Sequence, residues 1–178
     1  MQCPKCRNEY LQPTKLEDGL PAIGCGKCDG ALLSLLYYRD WAERVPDVSA
    51  QQDISDNIAA DSDTKTAISC PKCSRLMTKY SFSGTSDNRL DLCAHCDEAW
   101  LDGGEWKLLK SLELGLKLPA VFTDQWQRRV RGERTERDRT ERLKKAVGED
   151  DAAKAAEIRA WLRDNPNKSL IVHYLNLD

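Results

Sequence analysis

At two places along the chain, β-favouring apolar and aromatic residues flank a polar turn signal. The stretches EYLQPTKLEDGLPAIG (residues 9–24) and LMTKYSFSGTSDNRLDL (residues 76–92) each read as strand, turn, strand. Asp18-Gly19 and Asp87-Asn88 mark the reversals, flanked by Tyr10, Leu11, Tyr80 and Phe82. Between the two repeats, residues 45–69 carry five acids against one lysine and no large apolar cluster, the pattern of a linker. Beyond Pro119 the character of the chain changes. Residues 121–148 hold acid-before-base pairs at helical spacing, Glu133 with Arg137, Asp138 with Arg142 and Glu141 with Lys145. Nothing apolar lies between Val130 and Leu143, which predicts a helix of about 40 Å standing in solvent with no face to bury there. The C-terminal part places Ile158, Trp161 and Leu162 on one face and Leu170, Ile171, Tyr174 and Leu175 on another, joined by Asn165-Pro166. That spacing suits an α-hairpin, with a cap at Asn165 and Pro166 at the first helical position, while Ile171-Val172 leaves a strand over residues 169–175 as the alternative.

The stretch CAHCDEAWLDGGEW, from Cys93 to Trp106, contains a helix start. Asp102 as N-cap and Glu105 three residues later fit a capping box, with Gly103 and Gly104 as the first helical positions. Leu101 before the cap and Trp106 at the fourth helical position fit a hydrophobic staple, leaving Trp100, Trp106, Leu109 and Leu112 as the packing face. An acid/base role for Asp102 and Glu105 is set aside because carboxylates at this spacing are mostly caps. Gly103-Gly104 lacks the frame of a phosphate loop.

With 178 residues, 40% apolar and 31% charged, the chain has less core-forming material than usual for its length. Its longest apolar run, residues 31–38, is far shorter than the roughly 20 residues of a membrane span. No apolar signal follows the N-terminal Met-Gln-Cys-Pro-Lys-Cys, so a cytoplasmic location with reduced thiols and no membrane partner is the expectation.

All eight cysteines are paired in the sequence as C-x2-C: Cys3 and Cys6, Cys25 and Cys28, Cys70 and Cys73, Cys93 and Cys96. The intervals of 18 and 19 residues between successive pairs make two copies of C-x2-C…C-x2-C, offset by about 67 residues. Such a four-plus-four pattern suits two tetrahedral zinc sites better than disulfides or a thioredoxin-like pair. Each repeat, of roughly 45 residues, is near the limit below which apolar burial alone rarely holds a fold, whereas a structural zinc contributes about 10–16 kcal/mol. Two Zn²⁺ ions, one per set, are expected. His95 lies between two ligands but is surplus to a four-cysteine shell, and His173 is remote from every motif.

The second repeat, CPKC…CAHCDEAWLDGGEWKLL, resembles the bacterial TFIIB-type zinc-ribbon family, whose pattern is C-P-x-C, a hairpin, C-x-x-C, then W-L-D-x-G-E and a short helix. The first repeat keeps the ligands but reads ALLSLLYYRDW where the family has that tail, and both copies carry Asp (Asp29, Asp97) where the family commonly has glycine. The resemblance implies a link to transcription or other nucleic-acid machinery.

The fold class expected is a small metal-bound α+β protein, with two tandem zinc ribbons (β-hairpin plus short helix) followed by an α-helical tail. The divisions are a first ribbon at 1–45, a flexible acidic linker at 46–69 that lets the ribbons move independently, a second ribbon at 70–118, an arginine-rich helix at 119–148 and an α-hairpin at 149–178. The basic residues Arg128, Arg129, Arg131, Arg134, Arg137, Arg139, Arg142, Lys144 and Lys145 form either a solvated spacer or a contact surface for RNA, DNA or an acidic protein groove. The net charge of −2 and the interleaved acids argue against tight sequence-independent DNA binding. The function expected is that of a non-enzymatic adaptor docking on RNA polymerase, the ribosome or another large complex. A zinc- or redox-sensing regulator is the alternative.

Overall fold

The computed structural model describes residues 1–45 and 66–177. Most of the expected linker therefore lies outside the described residues. Two compact units are present, Met1–Gly132 and Glu133–Asp178.

In the first unit each repeat forms a three-stranded meander followed by a helix. The first comprises β1 (Gln12–Glu17), β2 (Leu20–Gly24), β3 (Ala31–Ser34) and α1 (Leu35–Arg44). The second comprises β4 (Thr78–Ser81), β5 (Arg89–Cys93), β6 (Glu98–Leu101) and α2 (Glu105–Ser111). The β1–β2 hairpin turns at Asp18-Gly19 as the pattern predicts, with Gly19 at φ 79°. The other reversal is wider than a two-residue turn. Residues 82–88 form a loop held by short-range bonds, in which the Ser86 hydroxyl accepts from the Asn88 amide at 3.1 Å and donates to its side-chain oxygen at 2.6 Å.

The meanders are not separate ribbons on a tether. β3 pairs antiparallel with β6, giving one six-stranded sheet in the order β1-β2-β3-β6-β5-β4. The pairing is symmetric in the repeat. Shifting β3 by 68 positions, the offset between Cys25 and Cys93, maps Ala31, Leu32 and Leu33 onto Ala99, Trp100 and Leu101. Ala31 lies opposite Leu101, Leu32 opposite Trp100, and Leu33 opposite Ala99. A pseudo-two-fold axis thus runs between Leu32 and Trp100.

Alternation along the strands sends side chains to two different cores. Leu33, Ala99 and Leu101 join Leu20, Leu35, Tyr38, Trp41, Phe82, Leu90, Trp106 and Leu109 in a core on the helix side. Leu32 and Trp100 point the other way, into a cluster with Leu11, Ile68, Met77 and the first cysteine of every C-x2-C pair. Both faces of the central strands are covered, so Ala31 to Leu33 and Ala99 to Leu101 form buried apolar runs, with Ser34 and Glu98 paired at one end. The run at 31–38 that looked like a departure from the ribbon pattern is β3 continuing directly into α1, so the first repeat also has its helix.

Polar tips of buried aromatics fasten the helices. The Tyr38 hydroxyl donates to the Gly115 carbonyl at 2.9 Å and accepts from the Leu118 amide at 3.1 Å. Burial pushes this phenol above its usual range, partly offset by the Leu118 amide. The indole of Trp41 donates to the Asp18 carbonyl at 3.1 Å, and that of Trp106 to the Glu17 carboxylate at 2.8 Å. The two indoles meet edge to face, 6.0 Å between centroids.

The helix expected over 119–148 is interrupted. A short α3 (Leu118–Val121) packs in the helix-side core, and α4 (Asp124–Val147) starts afresh after Thr123, whose hydroxyl accepts the Trp126 amide at 3.3 Å. The Gln127 side-chain amide donates to the carbonyls of Ser81 at 2.7 Å and Val121 at 2.8 Å, so the start of α4 covers the β4 edge.

In the second unit, α5 (Glu149–Arg163) and α6 (Lys168–Leu175) follow α4. The final segment is helical, not extended. Asn165 does not cap it: its side chain accepts the Asn167 amide at 2.9 Å, an Asx turn, and the helix begins two residues later than Pro166. The later part of α4 does not stand alone in solvent, because the Arg159 guanidinium on α5 forks onto Glu136. Leu162 is buried, while Ile158, Trp161, Leu170, Tyr174 and Leu175 are exposed.

Replacing Trp100 with alanine is expected to lower stability by about 3–5 kcal/mol, since the side chain is fully buried at the centre of the sheet. Tyr37→Ala, on the exposed side of α1, is expected to stay within about 0.5 kcal/mol. Urea unfolding of both variants checks the pair. By the same measurement Tyr38→Phe should cost about 1–3 kcal/mol, because the buried Leu118 amide loses its acceptor.

Candidate metal centres

A C-x2-C turn brings two sulfurs to the same side because the amide four residues on closes back onto the first cysteine. Arg7, Asp29, Ser74 and Asp97 donate their amides to the carbonyls of Cys3, Cys25, Cys70 and Cys93 at 2.8–3.0 Å. Each of these donors follows the second cysteine and sits in the left-handed region, with φ of 60°, 54°, 63° and 57°. Glycine meets that requirement most easily and aspartate tolerates it better than most residues, as at Asp29 and Asp97.

The turns meet in pairs to form two clusters. In each, Cys3, Cys6, Cys25 and Cys28 or Cys70, Cys73, Cys93 and Cys96, all four Sγ atoms lie within 4.8 Å of one another. Tetrahedral zinc with Zn–S of about 2.3 Å requires sulfurs about 3.8 Å apart. Cys3 and Cys28 are 3.7 Å apart, and Cys73 and Cys93 3.6 Å, both across opposing turns. The clusters therefore have the size of a four-thiolate metal cage. No disulfide joins any of the eight cysteines. The first cysteine of each turn is buried and the second partly buried. His95 is exposed and belongs to neither set.

Without a cation, four thiolates repel one another. Burial pulls the Cys25 thiol up, but amide donation from Lys27 and Cys28 and from neighbouring thiols outweighs it, holding Cys25 down at about 7. The Arg75 amide holds Cys73 at about 7 as well. Burial pushes Cys28 well above the usual thiol range, and the neighbouring Cys73 raises Cys96 to about 12. A divalent ion would favour the thiolate form of all four.

Sequence reasoning missed the lysines that flank the cages. Three of the four spacers end in lysine: Lys5, Lys27 and Lys72. A dication on four thiolates leaves a net negative charge, and these lysines supply nearby positive charge. They are themselves held by carboxylates. Lys72 Nζ is 2.9 Å from buried Glu98, Lys5 Nζ is 3.6 Å from buried Asp102, and Lys27 Nζ is 3.9 Å from Glu9.

Asp102 is consequently not the N-cap of α2. Its carboxylate accepts the Trp100 indole at 3.0 Å, and Gly104, at φ 87°, occupies the cap position. Half of the expected capping box is present, since the Glu105 carboxylate accepts the Asp102 amide at 2.8 Å. Leu101 and Trp106 share the helix-side core, whereas Trp100 lies on the cage side and Leu112 is partly exposed, so neither belongs to a single α2 packing face. All nine predicted basic residues lie on α4, and Arg128, Arg129, Arg131, Arg139, Arg142 and Lys145 are exposed. Arg129 stacks over Trp126, 3.9 Å from the ring centroid. They are not part of the cages.

Elemental analysis of the purified chain is expected to give two zinc ions, and stripping them with a strong chelator should abolish cooperative unfolding of the sheet. Because each ion displaces thiol protons, zinc affinity is expected to fall as pH drops, and more steeply below about 7, where Cys25 and Cys73 also take up protons. Chelator competition at pH 6 and pH 8 measures this.

Compared with known proteins, the chain matches no family model, no curated protein and no solved structure.

Proposed function

We propose that this protein is a non-enzymatic zinc-binding adaptor of TFIIB-type zinc-ribbon character that docks on a large nucleic-acid machine, RNA polymerase or the ribosome, or on nucleic acid itself. The observation that carries this reading is the closed ligand shell. Each cage brings four cysteine sulfurs within 4.8 Å of one another, so a zinc ion that takes all four would have no open position for water or substrate and would act as a staple. Docking then depends on the surfaces the staple holds in place. The exposed arginines of α4 suit such contact, since a guanidinium fork matches phosphate and carboxylate alike. No described helix is long and apolar enough to cross a membrane, and the proposed setting is the reducing cytoplasm.

A second reading, a zinc- or redox-sensing regulator, is favoured by the second cysteine of each turn, Cys6, Cys28, Cys73 and Cys96, which is only partly buried and so more open to a peroxide than the first. Zinc release at low peroxide, coupled to a change in partner binding, would select it over the adaptor.

Affinity purification of the full chain, with and without nuclease, is expected to recover a ribonucleoprotein or polymerase complex. Replacing Arg128, Arg129 and Arg131 with alanine, or separately Arg139, Arg142 and Lys145, should reduce recovery about tenfold in at least one case, at unchanged zinc content. Recovery of no such complex from the unmodified chain would defeat the adaptor reading.

A further inference from the structure

The two cages are built into one another. The first cysteines of all four turns, Cys3, Cys25, Cys70 and Cys93, share one apolar cluster with Leu32 and Trp100. Each repeat also closes over the other's second turn. The Leu35 amide, where β3 passes into α1, donates to the Asp97 carbonyl at 3.0 Å, directly after Cys96. At the position related by the 68-residue offset, Gly103 lies against the Cys28 carbonyl so closely that a Cβ there would stand 2.6 Å from it. Gly30 lies so close beneath Trp100 that its Cβ would be 2.4 Å from the indole ring. Lys5 from the first cage reaches Asp102 of the second repeat at 3.6 Å, and Arg39 of α1 reaches Asp97 at 2.8 Å.

These contacts are made by the turns that hold the metal. An ion in the first cage fixes residues 25–30, the seat of Trp100 and Gly103. An ion in the second fixes residues 93–97, against which Leu35 and Arg39 rest. Loss of either ion releases a turn on which the other repeat rests, Trp100 of β6 in one case and the start of α1 in the other, and the shared cluster has no second half to bury against.

From this geometry, and resting on the metal reading above, we propose that the two metal centres load as one thermodynamic unit: an ion at either cage raises the affinity of the other by the same factor. The shared strand pair β3–β6 transmits the effect. A partly metal-starved population would then consist of fully built and unbuilt molecules, with few half-built ones.

The test is native mass spectrometry of the metal-free full chain titrated with Zn²⁺ alone. For independent equal sites, about half the molecules carry one ion at half-saturation. A coupling of about 100-fold, within the usual range for linked sites, reduces that to about a tenth. Dominance of the empty and doubly loaded species is the expected result. A singly loaded species at half or more of the population, with two ions bound at saturation, would overturn the coupling and leave the metal reading intact. Binding of no zinc at any ratio would remove both. Trp100→Leu keeps all eight ligands and removes the ring seated on Gly30. Its capacity should remain two ions while its singly loaded fraction rises toward half, and an unchanged fraction would count against transmission through this contact.

Discussion

Leu32 and Trp100 face each other where β3 crosses β6, and the sides to which these strands turn their residues order the first unit. Neighbouring positions Leu33, Ala99 and Leu101 build the core under the helices, while Leu32 and Trp100 build the floor beneath the cages. A one-residue slip in this register would exchange the two sets and send Trp100 into the helix layer. Gly30 and Gly103 guard the register, since a side chain at either would meet an indole or a carbonyl.

The cages and the sheet support one another. A repeat of about 45 residues is near the size below which apolar burial alone rarely holds a fold, and a four-thiolate zinc would add stabilisation. Pairing two repeats through β3 and β6 adds a shared core that neither possesses separately. The flanking lysines and their carboxylates extend the same arrangement outward, with Lys5 and Lys72 held by buried Asp102 and Glu98. Four cysteines in each set are enough to fill a tetrahedral zinc shell.

Several features were legible in the chain because they are local. The C-x2-C turns, the Asp18-Gly19 reversal, the return of the Glu105 carboxylate to the Asp102 amide and the helical character of residues 124–147 all depend on neighbours within a few positions. Other expectations failed where a distant partner intervened. Asp102 has the look of an N-cap, yet its carboxylate serves Trp100 and Lys5. ALLSLLYYRDW has no family tail, yet Ala31 to Ser34 form a strand because β6 lies beside them. The interleaved charges of α4 read as a lone solvated helix, but Arg159 on α5 answers Glu136.

By itself, then, the sequence determined which eight sulfurs act together and in what groups of four, because a two-residue spacer and an 18- or 19-residue return leave little freedom in how the turns meet. Only the tertiary structure decided that the two groups share one sheet. Pairing between strands separated by more than 60 residues is selected by side-chain fit across the interface, Leu32 against Trp100 and glycine against indole, and no short-range pattern encodes that fit.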